Sequence, residues 1–230
     1  NRKYSRPQGE LAGDKDLYYC GIIYLVKLFL CIFTPIMTKL YNLFLECGKV
    51  TTDSRNCPEG SMFFALKGEN FDGNKYAASA LEKGCRYAVV SDPDVALNDK
   101  YIVVEDTLKA LQDLAREHRK AIGTTIVGIT GTNGKTTTKE IIASVLSQKY
   151  NVVTNEGNLN SETGLPLSVF KIRPEHEVGI FEMGMNRRGE ISELASVLFP
   201  SIAVITNIGT AHIGILGTQD AIAEEKQKED

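Results

Sequence analysis

With 230 residues, 43% of them hydrophobic and 24% charged, the chain has the composition of an ordinary folded protein and room for one large or two modest domains. A formal net charge of −3, with lysines and arginines scattered along the chain, argues against a nucleic-acid partner, which calls for a basic face; a local site for a small anionic ligand stays open. The five cysteines (Cys20, Cys31, Cys47, Cys57, Cys85) are odd in number and lack C-x-x-C spacing, which points away from a disulfide framework or zinc site and toward a reducing, cytoplasmic compartment.

The segment Leu17 to Met37 is apolar over about the length that spans a bilayer, interrupted by Lys27 and by Thr34-Pro35. Three readings compete. It is a membrane anchor burdened by a central lysine, a signal peptide whose long leader carries Asp14 and Asp16 and lacks an A-x-A-like cleavage site, or non-native sequence ahead of a true start at Met37. The third is preferred, because interpretable organisation begins after it. Residues 1–36 are therefore expected to be an extra segment, and a membrane role is not expected.

From Met37 onward, TKLYNLFLEC has helical spacing and stops at Gly48. SMFFALKG and CRYAVVSD read as strands flanking a helix, NKYAASALEKG, closed by Gly84. YIVVED is a further strand, and TLKALQDLAREHRKAIG a helix with Thr107 as its expected cap. A first α/β domain is expected over 37–122, and a second over 123–230.

The second begins with TTIVGIT, a buried strand, followed by GTNGKT and the helical KTTTKEIIASVLSQKY. Strand, glycine loop and helix form the setting in which a phosphate is held. Backbone N–H groups of Gly131, Thr132, Asn133, Gly134 and Lys135 would wrap the phosphate, and Lys135 adds a full positive charge. Thr136 offers a hydroxyl to magnesium, and Thr137 completes the expected nucleotide-binding stretch. The strict G-x-x-x-x-G-K-[ST] pattern is broken at one position, where Ile129 stands next to Gly128. NVVTNEG, EVGIFEMG and SIAVITNIG read as strands, TGLPLSVFKI and RGEISELASVL as helices, and TQDAIAEEKQKED as the start of another. This alternation predicts a parallel sheet with helices on both faces and ligands at the carboxyl ends of the strands, where Asn158, Asn160, Glu182, Asn207 and His212 fall.

Taken as an ordered series, GITGTNGKTTTKE, NEGNLNSETGLPLS, FEMGMNRRGEI and AVITNIGTAHIGILGT resemble the central domain of the Mur ligase family. TTDSRNCPEGSMFFALKGENFDGNKYA resembles the N-terminal UDP-sugar-binding domain of one of its members. The shifted loop is that family's own variant. The resemblance implies a small α/β UDP-sugar-binding domain followed by a P-loop-containing parallel-sheet ATPase domain that is truncated, with the family's third domain absent. It implies an ATP-dependent ligase that joins D-alanyl-D-alanine to UDP-N-acetylmuramoyl-tripeptide through an acyl phosphate, in peptidoglycan precursor synthesis and hence cell-wall biogenesis, cell shape and division.

By the same resemblance Lys135 contacts the β and γ phosphates of ATP, while Thr136 and Glu182 hold one Mg2+. His212 matches a histidine that helps bind a second, and Lys226 matches by spacing a lysine carbamylated by carbon dioxide, with Lys228 a nearby rival. Asp53, Ser54 and Arg55 are associated with the uridine end of the substrate. Asn158 and Asn160 are associated with the UDP-sugar peptide, although Ser161 stands where the family has another asparagine. Taken alone, Asn158 and Asn160 also read as turn residues and Asp53 to Arg55 as a capped turn. His118 and His176 read as surface or structural residues. Alternatives are a sister ligase adding another amino acid, a P-loop nucleotide-binding module without ligation, and a membrane-anchored interaction protein. The oligomeric state is left open.

Overall fold

The computed structural model describes residues 39–209. The expectations for residues 1–36, for a start at Met37, for a helix from Thr218, and for His212 and Lys226 lie outside the described residues. Among the described residues, those from Leu40 to Gly209 belong to one compact unit, and it holds two parallel four-stranded sheets.

The first sheet runs β1 (Val50–Thr51), β2 (Met62–Phe64), β3 (Tyr87–Val90), β4 (Tyr101–Val103), in that spatial order, with Phe63 opposite Ala88 and Val89 opposite Ile102. Parallel strands covered on both faces have no alternation to show, which is why MFF and YAVV read as continuous apolar runs. Phe63, Ala65, Ala88 and Val90 form a core with Cys85 and with Ala77 and Ala80, the last two from helix α2 (Ala77–Glu82). Ahead of the sheet, helix α1 (39–47) buries Leu40 and Phe44 and ends at Gly48, whose φ of 64° supplies the left-handed stop that the sequence suggested. Strand β1 was not anticipated, because two residues carry no period.

Helix α3 (Thr107–Ile122) buries Thr107, Ala110, Leu111, Leu114, Ala115, His118 and Arg119, a stripe at helical spacing. Its cap is Asp106, whose carboxylate accepts the N–H groups of Leu108 and Lys109. Thr107 is instead the first helical residue, and its hydroxyl donates to the Ala65 carbonyl at 3.0 Å. The expected cap is therefore displaced by one residue, because the carboxylate of Asp106 reaches two amides while the Thr107 side chain is buried against the first sheet.

The second sheet has the order β6 (Val152–Thr154), β7 (Val178–Glu182), β5 (Thr125–Thr130), β8 (Ile202–Ile205). After β5 the chain crosses to the far edge, and it returns on the other side of β5 at β8. The carboxyl end of β5 is thus a topological switch point, where open α/β sheets leave a crevice. Helix α4 (Lys135–Leu146) covers Val127, Ile129 and Ile180 with Ile142, Ala143 and Leu146. On the alternate side a Cβ at Gly128 would lie 3.0 Å from Met183 Cε and 3.2 Å from Pro200 Cβ, a close fit. Helix α6 (Glu190–Leu198) meets β5, and it packs with α5 (Gly164–Val169) and α3.

Helix α3 thus joins the first sheet to helices α5 and α6. Besides the Thr107 bond to the first, His118 Nε2 bonds the Ile172 carbonyl (3.0 Å), Arg116 Nε donates to Ser196 O (2.9 Å) and Arg119 Nε donates to Leu198 O (2.9 Å). His118 also sits edge-on to Phe44, centroids 5.0 Å apart, and Phe44 packs on Phe170. Among the described residues no helix is long and apolar enough to cross a membrane.

Candidate functional site

The site is built around the turn between β5 and α4. Gly131 has φ 143°, and a Cβ there would lie 1.9 Å from Thr206 Oγ1, so only glycine fits. Gly134, at φ 78°, is the N-cap of α4 and offers no side chain to the helix amides. The first intrahelical bond runs from Thr138 N to Gly134 O. Helix geometry leaves the N–H groups of Gly134, Lys135, Thr136 and Thr137 pointing into the crevice, where they and the helix dipole favour an anion.

The segment after β8 laces the outer side of this turn. Asn207 O accepts from Thr132 N (3.1 Å), Asn207 Oδ1 from Asn133 N (3.0 Å), and Asn133 O from Thr206 Oγ1 (2.6 Å). Gly209 N donates to Thr132 Oγ1 at 2.9 Å. The amides of Thr132 and Asn133 are therefore committed to the backbone and side chain of Asn207. Lys135 folds back, with Nζ donating to Gly131 O at 3.0 Å.

Across the crevice, Glu182 ends β7 opposite Ile129 of β5 and is 5% exposed. Its two oxygens are each held. Thr136 Oγ1 donates to Oε2 at 2.6 Å and Asn160 Nδ2 donates to Oε1 at 2.8 Å. The Asn160 carbonyl accepts Gly184 N (2.8 Å), which ties its loop to the end of β7. Asn158 is exposed, and only its backbone carbonyl, accepting Asn160 N, joins this arrangement. Thr137 lies at the edge of a shallow apolar groove along α4, lined also by Ile141 and Val145.

No set of three or more His, Cys, Asp or Glu side chains is placed to hold a metal among the described residues. The Thr136–Glu182 pair nevertheless suits Mg2+, which takes hard oxygen ligands, keeps several waters and needs only one or two protein groups beside phosphate oxygens. Thr136 spends its proton on the carboxylate, so its lone pairs remain for a cation.

Asp53, Ser54 and Arg55 lie apart from this crevice, just after β1. Arg55 forks onto Asp53 (Nε to Oδ1 2.9 Å, Nη2 to Oδ2 3.0 Å), and these hydrogen bonds hold the exposed Asp53 carboxyl down at about 2. The Ser54 carbonyl accepts Lys83 Nζ at 2.8 Å. With Phe71 and Tyr76 the three residues line an open cleft of about 480 Å3. The two rings stack with centroids 5.3 Å apart and an 8° interplanar angle, although they are 50% and 43% exposed. The sequence offered one signal for this pair, two aromatics in a stretch otherwise rich in Gly, Asn and Asp. His176 is structural: its Nδ1 accepts Arg173 N, and its carbonyl accepts Thr124 Oγ1.

A parallel sheet with a glycine turn at its switch point, an uncapped helix start and a hydroxyl–carboxylate pair across the crevice defines the phosphate-binding-loop class. Residues 129–228 match the Mur ligase middle domain, and residues 47–119 match the Mur ligase family catalytic domain. The chain belongs to the Mur ligase family. It is 49% identical over 191 residues to the UDP-N-acetylmuramoyl-tripeptide--D-alanyl-D-alanine ligase of Treponema pallidum, covering 78% of this chain and 41% of the relative. To the enzyme of the same name from Bacillus subtilis it is 44% identical over 180 residues, covering 77% and 39%. The crystal structure of the MurF ligase of Thermotoga maritima in complex with ADP superposes with a TM-score of 0.75 at 36% identity, over 80% of this chain and 43% of that one. The chain thus spans about two fifths of the length of these relatives.

Proposed function

We propose that this chain forms the nucleotide- and UDP-sugar-holding part of an ATP-dependent ligase that joins D-alanyl-D-alanine to UDP-N-acetylmuramoyl-tripeptide during cytoplasmic peptidoglycan precursor synthesis. The observation that carries the proposal is the Thr136–Glu182 pair beside the uncapped start of α4, in a chain up to 49% identical to proteins bearing that ligase name. Residues 37–122 are assigned to the UDP-sugar substrate and 123–230 to ATP.

A carboxylate resists attack by an amine, so the γ-phosphoryl group of ATP is first transferred to it. The amine then adds to the acyl phosphate, and phosphate leaves. Both steps crowd anionic oxygens, so positioning and charge neutralisation dominate the protein's task. The α4 amides from Gly134 onward hold phosphate oxygens, and Lys135 swings from Gly131 O to neutralise them. Thr136 and Glu182 would hold Mg2+, which would supply further positive charge. Asn160 orients Glu182 from the substrate side, and the stacked Phe71–Tyr76 pair beside Asp53–Arg55 offers a flat apolar platform for the uracil base. His212 is proposed to complete the metal site, with Lys226 contributing as the carbamate formed with carbon dioxide, since its ammonium has no lone pair to offer a cation.

Expression of the complete coding sequence that contains these residues tests the reading. With ATP, Mg2+, UDP-N-acetylmuramoyl-tripeptide and D-alanyl-D-alanine, stoichiometric phosphate release and a pentapeptide product are expected, both lost in Lys135→Ala. Nucleotide binding with no product from this amine would overturn the assigned reaction.

A further inference from the structure

Asn155 stands one residue past β6, where the β6–β7 ladder ends at Thr154 opposite Ile180. It is fully buried. An asparagine that merely shapes a turn bonds its own backbone about two residues on. Asn155 instead reaches across the sheet: Oδ1 accepts Glu182 N at 2.9 Å, while Nδ2 donates to Glu182 O and to Leu159 O, both at 3.0 Å. One side chain therefore clamps the backbone of Glu182 on both its N–H and its C=O, and anchors the residue next to Asn160. The Asn155 carbonyl in turn accepts Nζ of Lys139 at 2.7 Å, a lysine 2% exposed on α4, one turn beyond Thr136.

We propose that Asn155, seconded by Lys139, is a positioning residue for the metal-holding carboxylate, fixing Glu182 relative to both Thr136 and Asn160. This rests on the proposed role of Glu182 in holding Mg2+. Three separate segments converge on Glu182: α4 through Thr136, the 158–160 loop through Asn160, and strand β7 itself. Asn155 is bonded to all three, through Lys139, Leu159 and Glu182. A metal-bound carboxylate needs such outer partners, since small displacements of a ligand cost metal affinity. Truncation to alanine would leave Glu182 N–H, Glu182 C=O and Leu159 C=O without their buried partner, and the strand end would shift to recover bonds elsewhere.

The test is calorimetric titration of the 230-residue chain with ADP, in Mg2+ and in chelator, for the wild type and Asn155→Ala, alongside melting temperatures. The wild type is expected to bind ADP more tightly in Mg2+. In Asn155→Ala that enhancement should fall at least tenfold, while affinity in chelator stays within about twofold. A variant that melts earlier yet keeps the full Mg2+ enhancement overturns the positioning role and leaves Asn155 purely structural. A wild type with no Mg2+ enhancement overturns the metal site itself, and this inference with it. If Asn155→Ala does not fold, Asn155→Asp keeps the shape and the acceptor for Glu182 N–H while losing both donors; it should show the same loss, and an unchanged enhancement overturns the proposal.

Discussion

The Thr136 hydroxyl and the Glu182 carboxylate meet at 2.6 Å, joining the first turn of α4 to the end of β7 through one proton. Thr136→Val keeps the shape and deletes that proton and the lone pairs behind it. The expected outcome is a loss of at least tenfold in Mg2+-dependent ADP affinity, with folding stability lowered by about 1 kcal/mol in urea denaturation. Thr136→Ser should retain most of the metal response.

Gly131→Ala forces a methyl group to within 1.9 Å of Thr206 Oγ1. Thr206 is the donor that secures Asn133 O, so the turn must open to admit the methyl. ADP binding should fall below detection, with a destabilisation of about 1–3 kcal/mol. Adding Thr206→Ala should recover part of the stability and none of the binding, since the φ of 143° still disfavours a side chain.

Arg119 is a buried cation whose guanidinium donates to the last carbonyls of α6, Leu198 O at 2.9 Å and Phe199 O at 3.3 Å. Charge-assisted bonds to a helix C-terminus stabilise more than neutral ones. Arg119→Met preserves the aliphatic stem and should lower the unfolding free energy by about 2 kcal/mol with an unchanged denaturant slope.

Burial among Phe44, Phe170 and Tyr41 holds the His118 pKa below its ordinary 6.5. The neutral ring donates from Nε2 to Ile172 O. Because the unfolded chain takes up the proton first, stability is undiminished above pH 6.5 and falls as pH drops below it toward the folded-state value. Melting temperatures measured from pH 7.5 to 5 should drop less steeply for His118→Phe than for the wild type. Parallel curves would show that this histidine carries no such dependence.

Phe71→Ala should weaken binding of UDP about tenfold without changing ADP affinity, because the stacked pair lines the cleft beside Asp53 to Arg55, after β1, while the glycine turn follows β5 of the second sheet. Equal losses for both ligands in paired titrations would show that the cleft is not a separate base platform.

What the sequence disclosed follows from distance along the chain. The glycine turn was legible because strand, turn and helix are contiguous, and the long stripe of α3 because sixteen residues carry several helical periods. Apart from the family resemblance, Glu182 drew notice from its place at a strand end alone. Its partners Thr136 and Asn160 lie 46 and 22 residues away, and no local pattern encodes such a meeting. Asn155 passed unremarked within the strand reading of NVVTNEG, since a buried asparagine and a turn asparagine are identical in sequence. The cap of α3 was misplaced by one residue because Asp106 and Thr107 are both good caps, and packing against Ala65 decided between them.

One helix fixes a length. α3 starts against the sheet that carries Asp53 to Arg55 and ends against the carbonyls that close α6 beside the other sheet. Its sixteen residues span about 24 Å at 1.5 Å each. Buried along most of that span, it acts as a calibrated strut. The proposed substrate carries a uridine at one end and a reacting carboxylate at the other. On this scaffold its overall reach is gauged by backbone geometry, so a peptide shorter or longer by one residue would bring its carboxylate short of or past the glycine turn while its uridine stayed in the cleft beside Asp53 to Arg55.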